Sequence, residues 1–262
     1  MKINRRVIML TNPGKNGESN YCPGVYVDQR NYFSYFTQPY GGYWSSSELR
    51  HFDKPSKQTV YKELDLIKQD DIEFSIIIFC GHGWYSSRSN SNILVLNDLK
   101  EEMDSLDLRI GSNKRIIILD NCREVHDQYI SENLVKGFSA DALRSRERKT
   151  LNPEVCRALY NKTISDSPGQ IINSYACGLN EYAGDSSTLG GYYSSSLLGA
   201  SKDWAENEMN RIDLSTKYSI LNFPIAHNQS VPIVQRLSAN KQNPQIDKPR
   251  SANAFLPFAI VA

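Results

Sequence analysis

Two runs of β-branched and apolar residues, Phe74-Ser75-Ile76-Ile77-Ile78-Phe79 and Arg115-Ile116-Ile117-Ile118-Leu119, constrain the fold of this 262-residue chain more than any other feature. Continuous rather than alternating hydrophobicity marks strands covered on both faces, and such strands belong to parallel sheets whose crossovers run through helices. In open α/β sheets the functional groups gather beyond the carboxyl ends of the strands. Here the first run leads into Cys80-Gly81-His82-Gly83 and the second into Asp120-Asn121-Cys122-Arg123. If the strands are neighbours, at the spacing of roughly 5 Å within a sheet, an imidazole and a thiol face one gap. That is the layout of a cysteine nucleophile with its base.

The rest of the chain reads as alternating strands and helices, hence an α/β fold with right-handed crossovers. Val7 to Leu10 predicts a first strand, followed by a Gly/Asn-rich loop from Asn12 to Asn20 and a helix from about Val25 to Phe36. Tyr40 to His51 reads as a loop. Ser56 is placed to cap a helix whose stripe is Val60, Leu64 and Ile67. Ile93 to Leu96 predicts a short strand, Lys100 to Leu106 a polar helical segment, Gln170 to Ser174 a strand, and Gly191 to about Glu206 a helix that ends a second, smaller half. Asn240 to Pro249 reads as a loop before an apolar carboxyl-terminal stretch, Ala254 to Ala262, that docks on the body.

Composition excludes several classes. The net charge is +1 with acids and bases interspersed, so no phosphate-binding face, and no nucleic-acid partner, is expected. Val7-Ile8-Met9-Leu10 is too short for a secretory signal, and no segment approaches the ~20 apolar residues of a membrane span. Five cysteines lack metal-ligand spacing, which favours a reducing, cytoplasmic setting without a zinc site. Asp70-Asp71 and Glu101-Glu102 are isolated pairs without the spacing of a calcium loop. No cofactor is expected; calcium dependence has no support in the sequence.

The two strand-end motifs resemble those of the caspase-like cysteine peptidases, in which His-Gly ends one strand and Asp-x-Cys the next. Cysteine two residues after aspartate is similar to the metacaspase side of that clan and its bacterial relatives. Tyr21 to Asp28, Lys54 to Val60, and Ser174-Tyr175-Ala176-Cys177 through Gly190-Gly191-Tyr192-Tyr193 resemble further family segments in the same order, so the likeness covers most of the chain. It implies one domain over residues 1–262, a caspase-like sandwich with a mostly parallel central sheet and helices on both faces. Within it, 1–135 is a large half with the His/Cys dyad and 153–262 a small half. The charged stretch between them, 136–152, is either a solvated helix face or an exposed processing linker, with Arg144, Arg146, Arg148 and Lys149 as candidate self-cleavage sites.

The chemistry implied is peptide hydrolysis. A free thiol has pKa near ~8.5 and needs a neighbouring imidazole to be a nucleophile at neutral pH. Cys122 is then the nucleophile and His82 the base and acid, while the resemblance implies the backbone N–H groups of Gly83 and Cys122 as the oxyanion hole. It also implies that Asp120 lines the S1 pocket with a second acid from a later loop, selecting lysine or arginine at P1. The best register puts Asn180 where that acid stands, with Glu181 and Asp185 beside it, which weakens the basic preference; the arginines that select aspartate are missing altogether. The expected partner is a protein or peptide substrate, including a protein released by cleavage in a cell-death or immune response. Two rivals remain: a catalytically weak caspase-like scaffold, and a flavodoxin-like binding domain relying on Asn12-Pro13-Gly14-Lys15-Asn16-Gly17, which lacks the spacing of a phosphate loop.

Overall fold

The two isoleucine-rich runs pair side by side. In the computed structural model, which describes residues 3–126, 150–250 and 254–262, β1 (Arg5–Asn12), α1 (Gly24–Thr37), β2 (Leu49–Asp53), α2 (Lys57–Gln69) and β3 (Phe74–Gly81) come first. A small antiparallel unit of β4 (Gly83–Ser86), β5 (Ser91–Val95) and β6 (Glu102–Asp104) precedes β7 (Lys114–Asp120) and the two-residue β8 (Val125–His126). The second part contains α3 (Pro153–Asp166), β9 (Gln170–Tyr175), β10 (Asp185–Ser186), β11 (Gly190–Gly191) and α4 (Tyr192–Arg211). It ends with β12 (Ser219–Asn222), α5 (Phe223–Leu237), β13 (Gln245–Asp247) and β14 (Pro257–Val261).

The main sheet has six strands in the order β13-β9-β7-β3-β1-β2, parallel throughout except for β13, which runs antiparallel to β9. Alternate residues of each strand feed two separate cores, and this accounts for the unbroken hydrophobic runs. Met9, Ile76, Ile78, Ile116 and Ile118 face α1, α3, α4 and α5 on one side. Ile8, Leu10, Ile77, Phe79, Ile117 and Leu119 face α2 and the small sheet on the other. The α/β sandwich with helices on both faces is therefore the fold.

Apart from the segment Lys100 to Leu106, the expected strands and helices form, and Ser56 caps α2 by accepting the Thr59 N–H at 3.1 Å. Four local expectations change. The loop from Tyr40 to His51 contains the start of β2, an edge strand whose letters Leu-Arg-His-Phe-Asp are only half-buried and carry no apolar run. Lys100 to Leu106 is not a helix: β6 pairs with β5 there and a 3-10 turn, Ser105–Arg109, follows. The Asn240 to Pro249 loop contains edge strand β13. Finally, α4 does not close the second half, since α5 follows it with Pro224 at its start and Pro232 inside it. The carboxyl-terminal stretch docks as β14, fully buried and paired with β12.

Candidate active site

Register places the two strand-end motifs opposite one another. Cys80 and Asp120 are the last paired residues of β3 and β7. His82 and Cys122 each stand two residues beyond that pair, on the same rim of the sheet. The chain can turn at Gly81 because a Cβ there would collide with the backbone of Asn12 on β1, at a φ of +153° that a side chain tolerates poorly. The loop after β1 then closes over the histidine: a Cβ on Gly14 would come within 2.7 Å of His82 Nε2. Asn12 holds this arrangement, donating to Val95 O at 2.8 Å and accepting the Gly14 N–H at 3.1 Å. His82 is 3% exposed, and its carbonyl accepts the Val95 N–H at 3.0 Å.

Cys122 is 6% exposed. Its Sγ accepts the Ala183 N–H at 3.3 Å, and its carbonyl accepts the Asn121 side-chain amide at 2.6 Å. Tyr85 N donates to Glu124 O at 2.8 Å, just past the cysteine. Groups two apart on a strand point the same way, so the Gly83 N–H is turned to the cysteine side of β4. A Cβ on Gly83 would stand 2.6 Å from Asn121 Nδ2, which keeps this position bare.

Beside the thiol lies a small cavity, about 30 Å³, lined by Cys22, Asp28, Cys80, Asp120, Cys122 and Asp185 among others. Three carboxylates thus converge from three elements: Asp28 from α1, Asp120 from the end of β7, and Asp185 from β10. Each is held by N–H donors. Asp28 accepts from Gly191 N at 2.9 Å, Asp185 from Gly24 N at 3.1 Å, and Asp120 Oδ2 from Ser194 N at 3.0 Å and Ser194 Oγ at 2.6 Å. Burial raises all three above the ordinary carboxylate range. Asp120 is pushed up to about 6 by burial, with the Ser194 bonds opposing and Asp185 adding to the rise. Asp28 goes well above its usual value through burial and the charge of Asp120. Asp185 is raised by burial while the neighbouring His82 opposes the shift. Closely spaced, desolvated acids of one sign are a ready site for a cation.

The caspase-domain family model matches residues 6–255. The chain belongs to the caspase-domain family. No curated protein matches the sequence. Caspase domains are a family of cysteine peptidases, so protein substrates are implied, and the α/β fold is that of such a domain. No helix among the described residues is long and apolar enough to cross a membrane.

Other expectations for the caspase domain fare differently. Asn180 is exposed, at a left-handed φ of 60°, with its side-chain oxygen on Val125 N at 3.1 Å. It shapes a turn outside the cavity, because asparagine tolerates that conformation. Glu181 also turns away, accepting from Gly178 N and from Asn243. The acid that joins Asp120 and Asp185 is Asp28, 92 residues upstream of Asp120 in sequence, and no local pattern singles it out. His227 is buried in α5 between Pro224 and Pro232, with Nδ1 2.7 Å from Tyr193 OH, and burial lowers it to about 4. His51 sits on β2 beside Thr11 at 2.8 Å. Beyond Cys122 the chain enters the two-residue strand β8.

All five cysteines are free. Cys156 and Cys177 bond carbonyl oxygens, and burial raises both thiols, as it does Cys80. The acidic pairs considered for calcium are occupied structurally: Asp70 pairs with Arg6 at 2.8 Å, Glu101 accepts Lys57 N, and Glu102 accepts Trp84 Nε1. Among the described residues, the donor atoms close enough to chelate an ion are those of Asp28, Cys80 and Asp120, all within 4.8 Å of one another. Both carboxylates already accept N–H donors. The candidate cleavage sites Arg144, Arg146, Arg148 and Lys149, and most of 136–152, lie outside the described residues.

Proposed function

We propose that this caspase domain is a working cysteine endopeptidase of metacaspase-like specificity, cleaving protein chains after arginine or lysine. The observation that carries the reading is the register: His82 and Cys122 both stand two residues past the Cys80/Asp120 pair, beside a cavity lined by three acids. His82 takes the thiol proton and the Cys122 sulfur attacks the carbonyl carbon of the P1 residue. The oxyanion so formed points to the N–H groups of Gly83 and Cys122, each worth about 3 kcal/mol in the transition state. His82 then returns its proton to the leaving amine as the C–N bond breaks. Water, deprotonated by His82, hydrolyses the thioester and restores the thiol. Asp28, Asp120 and Asp185 receive the P1 cation by charge pairing and hydrogen bonding.

A cavity of about 30 Å³ has room for about two waters, not for an arginine side chain, and Ala183 N already occupies the thiol. The segment 182–184 therefore opens when substrate binds. It is tethered by Gln242, which accepts Gly184 N and donates to Ala176 O, both at 2.9 Å. The same closure favours a second reading, a catalytically weak scaffold of caspase fold. A fluorescent peptide electrophile with arginine at P1 separates the two: covalent capture at Cys122, absent from Cys122→Ala and outcompeted by arginyl peptides, supports the peptidase, while an unreactive thiol supports the scaffold.

The linker adds a further test. A peptidase selecting basic residues finds its preferred bonds at Arg144, Arg146, Arg148 and Lys149, so prolonged incubation nicks the wild type within 136–152. Cys122→Ala protein stays whole by mass spectrometry. An unnicked wild type with full activity rejects obligatory self-processing and leaves the dyad standing.

A further inference from the structure

Helix α4 begins without a cap of its own. Its N-cap is Gly191, no side chain caps it, and its first turn contains no acid. The acceptors come instead from the cavity acids: Asp28 takes the Gly191 N–H and Asp120 takes the Ser194 N–H. The positive end of a 20-residue helix thus abuts two buried carboxylates.

Of the three consecutive serines near that helix start, Ser194 to Ser196, one serves the cavity. Ser195 Oγ turns back to Gly191 O at 2.8 Å, and Ser196 Oγ has no hydrogen-bond partner. Ser194 Oγ donates to Asp120 Oδ2 at 2.6 Å. It is itself oriented by Tyr32 OH, which donates to it at 3.2 Å, and it lies 3.8 Å from the Cys80 sulfur. Both Ser194 donors converge on Oδ2 of Asp120, a residue that lines the cavity.

We propose that Ser194 is a positioning residue for substrate selection: by fixing one oxygen of Asp120 it turns the other toward the P1 side chain and keeps that carboxylate an anion. The inference rests on the peptidase reading above and adds to it the residue that sets its charge preference. A comparison inside the cavity supports it. Asp28 and Asp120 are both desolvated, but Asp28 has only a backbone N–H from Gly191, whereas Asp120 has two donors from Ser194. Burial raises both, and at Asp120 the two Ser194 bonds are what oppose the rise. The groups facing Asp120 from every packed element favour protonation or are neutral: Asp28 and Tyr32 on α1, Cys80 on β3, and Asp185 on β10. Cys177 beyond β9, Tyr193 on α4, and the adjacent Cys122 complete that surround. Within that set Ser194 is what holds the anion.

The test compares two fluorogenic peptides that differ only at P1, arginine against citrulline, the uncharged isostere, across pH 5 to 9. In Ser194→Ala the ratio of kcat/KM for arginine over citrulline falls about tenfold, the worth of one hydrogen bond to a charge. The loss resides in KM, and the acid limb for the arginine peptide moves up by about one pH unit relative to citrulline. Ser194→Thr restores both. Tyr32→Phe, which only frees the Ser194 hydroxyl, shows a smaller change in the same direction and serves if the alanine variant does not fold. An unchanged ratio and limb in a folded Ser194→Ala or Tyr32→Phe enzyme overturns the proposal while leaving the dyad intact. No cleavage of either peptide by activated wild type, with Cys122 inert to electrophiles, overturns the peptidase reading itself, and this inference with it.

Discussion

The two ends of the main sheet handle buried charge in opposite ways. At the amino ends of the strands, Arg5 meets Glu48 at 3.2 Å, Arg157 meets Glu48 at 2.7 Å and Arg6 meets Asp70 at 2.8 Å, around an open cleft of about 750 Å³. Arg5 also stacks on Trp44, with its guanidinium 4.1 Å from the ring centre. Burial alone would raise Glu48, but Arg157 and Arg5 outweigh it and hold the acid below its ordinary value. At the carboxyl ends, Asp28, Asp120 and Asp185 gather with no arginine or lysine paired to them among the described residues. One end spends its charges on the fold. The other keeps same-sign acids desolvated and partnered only by neutral N–H and hydroxyl donors, an arrangement that lowers stability and is retained where a ligand supplies the missing charge.

The comparison breaks most sharply with the dyad. Cys122→Ala abolishes peptide cleavage and His82→Ala lowers kcat by about 10³-fold or more, since the two act as a unit, while circular dichroism and Tm stay near wild type. Substitution at the amino end should do the reverse. Glu48→Gln leaves Arg5 buried beside a neutral partner and costs about 3 kcal/mol in denaturant unfolding, with kcat/KM unchanged; an effect on catalysis instead would mean the two ends are coupled.

Asp120→Asn sharpens the contrast further. It costs about 2 to 3 kcal/mol of discrimination for P1 arginine, on the order of a hundredfold in kcat/KM ratio. Stability at pH 8 does not fall, because the removed charge was unfavourably buried. A cleavage profile led by aspartate or leucine in the wild type would reject the charge-pairing account. Adding an acid by Asn180→Asp should leave P1 preference alone, since that side chain lies outside the cavity.

The smallest effect is on pH dependence, and its sign differs between the ends. Glu48 is depressed in the folded state, so its stabilisation is present above its unfolded pKa and fades as pH falls through the folded value. Asp120 is raised to about 6, so the folded state binds more protons than the unfolded one between about pH 4 and 6 and loses stability as pH rises through that window. Asp120→Asn should remove that loss and Glu48→Gln should remove the fall in stability at acid pH. Denaturant curves at pH 4, 6 and 8 for both variants check this; identical pH profiles for the two would erase the distinction.

Much of this was legible in the letters, because it is local. Ile76 to Ile78 and Ile116 to Ile118 announce strands covered on both faces, and a histidine and a cysteine directly after such runs must emerge at the carboxyl rim. Ser56 three residues before Thr59, ahead of Val60, Leu64 and Ile67, announces α2. The edge strands β2 and β13 were not legible, since a strand bonded on one side and half in water needs no apolar pattern. Nor was α5, whose Pro232 reads as a break although it sits in the helix interior.

The cavity is the opposite case. Asp28, Asp120, Asp185 and Ser194 come from a helix, a strand end, a two-residue strand and a helix start, and nothing about Asp28 distinguishes it from an exposed acid, nor Ser194 from Ser195 and Ser196. Pattern and spacing can name the reactive pair because secondary structure alone carries both residues to one edge. Which acids converge there, and which serine holds them, depends on long-range packing of α1 and α4 against β3 and β7, contacts whose partners are far apart in sequence and therefore leave no periodic trace.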